Sequence, residues 1–181
     1  MSKAVFDISM SLDGFITGPD QTPLALHHWA EGDLEGRPGI AVPDTWRPDV
    51  FGAVICGRRT YEDSLPSWGA DGPSLSRLPV VVVAHDEGTQ PPANGVYTFA
   101  DGVEDALAQA QNLAGDKDIT VMGGASVPQA FLRAGLLDEI KIHLIPVLLG
   151  GGTRLFDNID SEYVWLRPIE VVQDDQATHL R

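Results

Sequence analysis

The sequence contains little cysteine and few basic residues. Cys56 is the only cysteine, which excludes an internal disulfide and a zinc site built from cysteines. Lysine and arginine number 12 against 26 aspartates and glutamates, so the formal net charge is −14. A surface of this sign repels phosphate backbones at long range, and we expect no nucleic-acid partner. An anionic ligand must therefore be held by a local cluster of donors.

Long apolar runs are also missing. None approaches the ~20 residues needed to cross a bilayer, so no membrane association is expected. The first residues, MSKAVFDIS, show no basic segment leading into an apolar stretch, so no secretory signal is predicted and the cytoplasm is the expected location. The chain has 181 residues, 43% of them hydrophobic, which is typical of a packed globular protein. We expect one α/β domain over residues 1–181.

The distribution of apolar residues predicts alternating strands and helices. Apolar–polar alternation indicates a strand over 3–9, and continuous apolar runs indicate buried strands over 50–56 and 79–84. The other predicted elements are helices over 24–31, 58–65 (ended by Pro66), 103–113 and 126–134, strands over 96–99, 119–122 and 139–147, and a closing antiparallel hairpin of 163–172 with 177–180.

Strands that alternate with helices imply a mainly parallel sheet with helices on both faces. Ligands of such sheets bind beyond the carboxyl ends of the strands, where loops lead into helices. Two glycine-bearing turns occur at such places, residues 56–60 (CGRRT) and 122–126 (MGGAS). We therefore expect a ligand site at these turns.

The first turn carries the features of an anion site. Gly57 follows a buried strand and allows close approach of a ligand, and the helix start behind it offers free N–H groups. Arg58 and Arg59 add two guanidinium groups, and Thr60 adds a hydroxyl. In so acidic a chain, adjacent arginines here indicate phosphate. An equally supported alternative is that both arginines pair only with surface carboxylates.

Two further motifs are weaker when taken alone. Gly123 and Gly124 lack the GxGxxG spacing of a dinucleotide fingerprint, and a packing role is the favoured interpretation of the pair. Asp13, in SMSLDGFITG, follows the first strand, where a carboxylate can orient a substrate or relay a proton. A local turn with Gly14 is the favoured alternative. No metal site is expected, because the adjacent His27 and His28 would point about 100° apart on a helix.

In order along the chain, SMSLDGFITGPD, VICGRRTYE and the segment from TVMGGASVPQ to GGGTRLF resemble the dihydrofolate reductase-like superfamily. The resemblance is to the branch with the reductase domain of riboflavin biosynthesis and its stand-alone relatives, and it covers nearly the whole chain. It implies a three-layer αβα sandwich with a mainly parallel central sheet and a C-terminal antiparallel hairpin. It also implies an enzyme that uses NADPH and forms a homodimer.

The resemblance assigns roles to individual residues. The segment of the family that holds the cofactor's pyrophosphate and 2′-phosphate is matched by Gly57, Arg58, Arg59 and Thr60, and paired arginines favour NADPH over NADH. His85 matches a position near the adenosine phosphate, with an ordinary surface imidazole as the equally supported alternative. The glycine pair beside the pyrophosphate, whose peptide bond is often cis in the family, is matched by Gly123, Gly124, Ala125 and Ser126.

The remaining implied roles concern hydride transfer. Ile16 and Gly18 match the mobile loop that closes over the nicotinamide, and Asp13 matches an acidic residue near the transfer centre. The implied activity is hydride transfer from NADPH to a small heterocyclic substrate (pyrimidine- or pterin-like) or a carbonyl substrate, as in 5-amino-6-(5-phosphoribosylamino)uracil reductase. A dihydrofolate or pterin reductase and a non-catalytic NADP-binding protein are the alternatives.

Two departures from the family pattern bear on the substrate. Phe15 stands where the riboflavin branch usually has a basic residue, which puts its phosphorylated pyrimidine in doubt. The carboxylate with which dihydrofolate reductase grips the pterin has no clear match in TPLALHHWAEGDLEG, although Glu31 and Asp33 occur there. Folate is therefore a less favoured substrate.

Overall fold

The computed structural model describes residues 2–21, 26–27, 50–73, 77–85, 88, 90–157, 159, 163–173 and 175–181. Most of the predicted helix over 24–31 lies outside these residues, as do His28, Glu31 and Asp33. The described strands are β1 (Ala4–Ser11), β2 (Phe51–Gly57), β3 (Val80–Val83), β4 (Tyr97–Ala100), β5 (Asp118–Val121), β6 (Glu139–Ile145), β7 (Val171–Gln173) and β8 (Thr178–Leu180). The α-helices are α1 (Arg58–Trp68), α2 (Val103–Ala114) and α3 (Ser126–Arg133), and a 3₁₀ turn covers Gly69–Asp71.

All of these strands join one sheet, in the order β4-β3-β2-β5-β1-β6-β8-β7. The strands from β4 to β6 in this order run parallel to one another. β8 then pairs antiparallel with β6, and β7 pairs antiparallel with β8. This confirms the predicted mainly parallel sheet with a C-terminal antiparallel pair.

Helices cover both faces of the sheet, because successive side chains of the buried strands point in opposite directions. Val54 on β2 packs with Tyr61 of α1 in one apolar cluster. Its neighbour Ile55 packs on the other face with Ala106 of α2 and Phe131 of α3. The predicted three-layer arrangement is therefore confirmed. No helix in the described part of the chain is both long and apolar enough to cross a membrane.

Two element boundaries differ from the sequence prediction. α1 continues through Pro66 to Trp68 instead of ending at residue 65. Pro66 lies in the last turn, so its missing N–H removes one hydrogen bond near the end of the helix. The predicted strand over 163–172 is reduced to Val171–Gln173, because β8 offers only three residues for pairing.

Candidate cofactor-binding site

The two glycine-bearing turns lie against each other. The Gly124 N–H donates to Thr60 Oγ1 at 3.2 Å, which joins the turn after β5 to the first turn of α1. Gly123 has a φ of +97°, and a β-carbon at this position would overlap the Thr60 side chain. Only glycine satisfies both conditions without strain. Packing between the turns, the favoured interpretation of the pair, is therefore present, and it occurs at the candidate site itself.

The family resemblance implied a cis peptide bond between Gly123 and Gly124, and this expectation is wrong for the structure. The bond is trans. The chain changes direction here through the positive φ of Gly123, a conformation that glycine adopts readily.

A cavity of about 1670 Å³ opens at the carboxyl ends of the parallel strands. Its volume exceeds the range of roughly 300–1,000 Å³ for sites that take one small molecule, so it can accept a dinucleotide together with a substrate. Gly18 and Asp13 are described but lie outside its lining. The lining includes the other predicted cofactor-binding residues, namely Ile16, Gly57, Arg58, Arg59, Thr60, His85, Gly123, Gly124, Ala125 and Ser126.

Three helix N-termini meet this cavity. α1, α2 and α3 each begin after the carboxyl end of a parallel strand, and their N-cap residues are Gly57, Gly102 and Ala125. None of these caps has a polar side chain, so the first-turn N–H groups stay available for a ligand. The first turn of α2 carries Glu104 and Asp105, which disfavour an anion there. The starts of α1 and α3 are thus the places suited to phosphate.

Both arginines of the first turn line the cavity and also form ion pairs along α1. Arg58 Nη1 lies 3.5 Å from Glu62 Oε1, and Arg59 Nε lies 3.5 Å from Asp63 Oδ2. Pairs of this spacing on an exposed helix contribute little stability, about 0.3–0.5 kcal/mol. The Arg59 side chain is 76% exposed against 21% for Arg58, whose guanidinium lies over the Phe99 ring. The two interpretations of these arginines are compatible, because contacts with a phosphate can replace these weak ion pairs.

His85 also belongs to the lining, beyond the end of β3. Its Nδ1 lies 2.9 Å from Asp101 Oδ1, and both side chains are exposed. The carboxylate orients the imidazole without burying it. This placement is compatible with either predicted role, a neighbour of the adenosine phosphate or a surface imidazole.

The loop after β1 is fixed to residues 152–153. The Ile16 N–H donates to the Thr153 carbonyl oxygen at 2.9 Å, and the Ile16 side chain is buried. Gly152 has a φ of +121°, and a β-carbon there would overlap the backbone of Thr17 and Gly18. Gly152 therefore permits the two segments to touch at the edge of the cavity, where it is itself a lining residue. The predicted closure of this loop over the nicotinamide stays a prediction.

Asp13 makes its contacts outside the cavity. Its carboxylate accepts hydrogen bonds from Ser11 Oγ at 2.6 Å, the Gly150 N–H at 2.8 Å and the Leu149 N–H at 3.1 Å. The Ser11 hydroxyl, together with the two backbone donors, lowers the pKa of Asp13 to about 2. The bond to Ser11 is local, and the Gly14 N–H donates to the Ser11 carbonyl oxygen at 3.0 Å, so the favoured local turn with Gly14 is present. The bonds from Leu149 and Gly150 come from far along the chain and join this turn to a second loop. A role in orientation or protonation of substrate stays a prediction.

Replacing Asp13 with asparagine should make the free energy of unfolding depend less on pH in the acid range. The folded-state pKa lies below the unfolded value of about 3.9, so the charge stabilises the fold above about pH 4 and ceases to do so as the pH falls toward 2. We expect Asp13→Asn to be less stable than wild type at neutral pH and nearly equal at about pH 2. Urea unfolding at both pH values measures this, with the exposed Asp116→Asn as control. An equal difference at both pH values would contradict it.

A polar group at the other end of the cavity was missed by the sequence analysis. Asp7 and Ser9 of β1, Thr120 of β5 and His143 of β6 line it. Their side chains share one face of the sheet, as the register pairs of Ser9 with His143 and of Val5 with Thr120 show. The available signal was the alternation in AVFDISMS and EIKIHLI, which places every second side chain of a central strand on the same polar face.

Comparison with solved structures identifies the class of fold. The chain superposes on a protein from Shewanella sp. PV-4 named for riboflavin biosynthesis with a TM-score of 0.74 and 23% identity, covering 98% of this chain and 96% of that one. Dihydrofolate reductase from Enterococcus faecalis, complexed with NADP(H), gives a TM-score of 0.56 at 18% identity, covering 98% of this chain and 93% of that one. The fold is thus dihydrofolate reductase-like.

A third structure is the diaminohydroxyphosphoribosylaminopyrimidine deaminase/5-amino-6-(5-phosphoribosylamino)uracil reductase of Thermotoga maritima. The TM-score is 0.64 at 15% identity, and 99% of this chain corresponds to 55% of that protein. The model of the RibD C-terminal domain family matches residues 3–180. The chain therefore belongs to the RibD C-terminal domain family, as the motifs in its sequence suggested.

Proposed function

We propose that this protein is a reductase that binds NADPH and reduces a small, polar, unsaturated substrate. The observation that carries the proposal is one cavity shared by the N-termini of α1 and α3, the Arg58–Arg59 pair and the joined glycine turns. The relationship to the Enterococcus faecalis fold, which was solved with NADP(H), supports the same cofactor. When bound, the cofactor would supply a hydride.

The chain's own groups fit the charge of this cofactor. The first-turn N–H groups of α1 and α3 would hold the pyrophosphate, since no cap side chain occupies them. Arg58 and Arg59, with the Thr60 hydroxyl, would hold the 2′-phosphate through charge-assisted hydrogen bonds. In a chain of net charge −14, such a cluster offsets the repulsion that an anionic ligand meets elsewhere.

A specific observation favours a phosphorylated pyrimidine as the substrate. The Arg154 guanidinium lies over the Phe15 ring, 4.4 Å from its centroid, and Arg154 lines the cavity. Phe15 stands where the riboflavin branch usually has a basic residue, and Arg154 would supply a cation beside it. The Thermotoga maritima protein is named as a 5-amino-6-(5-phosphoribosylamino)uracil reductase, so we propose this pyrimidine as the first substrate to assay.

The test is the rate of NADPH oxidation, followed by the loss of absorbance of the reduced nicotinamide. Addition of 5-amino-6-(5-phosphoribosylamino)uracil should start oxidation, and dihydrofolate and quinones form the comparison set. Binding of NADPH without oxidation by any of these acceptors would favour the alternative of a non-catalytic NADP-binding protein. Failure to bind NADPH would refute the proposal outright.

We also propose that the protein is a homodimer, with a second copy covering an apolar surface near the edge strand β7. We call this surface the 163–171 segment. Its Tyr163 and Trp165 side chains are 92% and 90% exposed, and Leu166, Ile169 and Val171 are exposed beside them. An apolar patch of this kind, next to an edge strand that pairs with no second strand among the described residues, is characteristic of an association site. Because the segment leads into β7, the last strand of the sheet order, a two-fold pairing would cover both features.

Replacing Trp165 with serine should weaken the dimer by tenfold or more, because exposed tryptophans that become buried dominate interface energies. Sedimentation velocity over a range of concentrations measures the dimer dissociation constant. Leu113→Ser, at an exposed apolar position on α2, is the matched control and should leave it unchanged. A monomeric wild type, or equal dissociation constants for both variants, would contradict the proposal.

A further inference from the structure

Ionisable side chains are buried in the middle of the sheet, where apolar side chains are usual. His143 of β6 and His179 of β8 are 4% and 1% exposed, and they face each other in the register of the two strands. Asp7 of β1 lies on the same face. Burial of such groups costs stability unless they are hydrogen-bonded, so a row of them at a cavity indicates a functional site.

These three side chains form a continuous hydrogen-bonded row, which we call the Asp7–His143–His179 row. His143 Nε2 lies 2.9 Å from Asp7 Oδ1, and His143 Nδ1 lies 2.6 Å from His179 Nδ1. Each hydrogen bond contains one proton, so one Nδ1 donates and the other accepts. The row is satisfied with His143 neutral, accepting from His179, or with His143 protonated and donating to both neighbours. It can therefore take up or release one proton without movement of heavy atoms.

The row opens to the cavity through Asp7. Asp7, Ser9 and His143 line the cavity, and the Asp7 side chain is the more exposed end, at 22% against 5% for His143. Asp7 Oδ1 is engaged by His143, whereas Oδ2 has no hydrogen-bond partner among the described residues. A substrate in the cavity can therefore contact Asp7 Oδ2, while His143 can supply a proton to the same carboxyl group.

The row and the arginine pair occupy different ends of the same cavity. In the sheet order, β5 separates β1 from β2, so the strands that carry Asp7 and lead into Arg58 are about 10 Å apart. Phosphate groups held at α1 and α3 leave the polar face of β1 and β6 uncovered. The cavity therefore has a cation-rich end and a proton-bearing end.

We propose that the Asp7–His143–His179 row is the proton source of the reduction, an inference that rests on the proposed reductase function. The acceptor carbon of a C=N or C=O group takes the hydride of a reduced nicotinamide, which is thereby oxidised. The π electrons of that group move to its nitrogen or oxygen, which forms an N–H or O–H bond with a proton that the Asp7 carboxyl group carries on Oδ2. The Oδ2–H bond breaks, and protonated His143 gives its Nε2 proton to Asp7 Oδ1, so the row loses one proton in total. The row regains one proton from solvent. The substrate class is a polar imine, carbonyl or heterocyclic C=N compound.

Nuclear magnetic resonance of the histidine rings tests the row without any substrate. In ¹⁵N-histidine-labelled protein, saturating NADPH should shift the ring-nitrogen signals of His143 and also of His179, which does not line the cavity and senses it only through His143. His143→Gln and His179→Gln assign the signals. In Asp7→Asn the coupled shift of His179 should be lost, whereas Asp116→Asn, an exposed carboxylate outside the cavity, should behave as wild type. Ring signals of His143 and His179 that stay unmoved by bound NADPH would overturn the proposal.

Kinetics with NADPH and 5-amino-6-(5-phosphoribosylamino)uracil provide the second readout. Asp7→Asn should lower kcat by roughly 100-fold, the usual effect of removing a proton donor, with the NADPH dissociation constant changed less than about twofold. Its solvent isotope effect should rise, because proton transfer becomes rate-limiting. His179→Gln, a positioning change, should raise the solvent isotope effect with a smaller loss of kcat.

The outcomes separate this inference from the proposed function. NADPH that fails to bind in a fluorescence titration overturns both. NADPH that binds and is oxidised at the wild-type rate by Asp7→Asn overturns only the row as proton source. If wild type binds NADPH but does not reduce this pyrimidine, the pyrimidine is wrong as substrate and the ring-nitrogen shifts decide on the row. Thermal unfolding shows that each variant is folded before its kinetics and ring-nitrogen signals are compared with those of wild type.

Discussion

Replacing both Arg58 and Arg59 with alanine should weaken NADPH binding by roughly 100-fold while changing NADH binding less than about threefold. Each charge-assisted hydrogen bond from a guanidinium to phosphate contributes about 1.5–3 kcal/mol, and 1.4 kcal/mol corresponds to a factor of ten. NADH lacks the 2′-phosphate, so its affinity does not depend on these hydrogen bonds. Fluorescence titration of wild type and variant with the two cofactors measures both dissociation constants.

The control for this change is Arg133→Ala, which removes an exposed arginine from the far end of α3, outside the cavity lining. It alters the net charge by one and should leave both affinities within about twofold of wild type. Equal losses of NADPH and NADH affinity in the double variant would refute the 2′-phosphate assignment. The arginines would then contact the pyrophosphate, which both cofactors contain, whereas unchanged affinity for both cofactors would leave them only the helix pairs with Glu62 and Asp63.

Replacing Gly123 with alanine should destabilise the protein by about 2–6 kcal/mol and abolish cofactor binding. A non-glycine residue at positive φ costs about 1–3 kcal/mol, and overpacking against the Thr60 side chain adds about 1–3 kcal/mol. For a protein of this size, each kcal/mol lowers Tm by about 2–4 °C. Displacement of Thr60 would also separate the two turns that the bond to the Gly124 N–H joins.

The neighbouring glycine provides a matched comparison for this prediction. Gly124 does not have a positive φ, and no described heavy atom lies within 4 Å of a β-carbon built there. Gly124→Ala should therefore keep the melting temperature of wild type within about 2 °C. Scanning calorimetry of both variants measures the contrast. Equal melting temperatures would show that neither the positive φ of Gly123 nor its contact with Thr60 requires glycine at this position.

The sequence predicted the β2–α1 and β5–α3 turns because local rules decide them. A buried apolar run must be a central strand, and a glycine directly after it marks a turn at the carboxyl end of that strand. Because the strands are parallel, both turns lie at the same edge of the sheet, and this places Gly57 and Gly123 at one cavity. The Gly124–Thr60 bond could not be predicted, since it depends on how two distant segments pack.

The Asp7–His143–His179 row escaped prediction for a similar reason. Alternation in β1 was used only as evidence for a strand, although the alternating patterns of β1 and β6 also place Asp7 and His143 on one face. The pairing of His143 with His179 requires β8 to lie antiparallel beside β6, and no local pattern specifies that register. Asp13 was chosen as a candidate because of the residues next to it in the motif. Its partners Leu149 and Gly150 lie far along the chain, so the motif could not predict these contacts.

Hydrogen exchange of the backbone amides, measured with and without NADPH, tests most directly whether the starts of α1 and α3 seat the cofactor's phosphates. Bound NADPH should protect the first-turn amides of both helices and those of residues 123–125, and it should leave the 163–171 segment unchanged. NADPH that binds tightly while these amides exchange at their original rates would contradict the account.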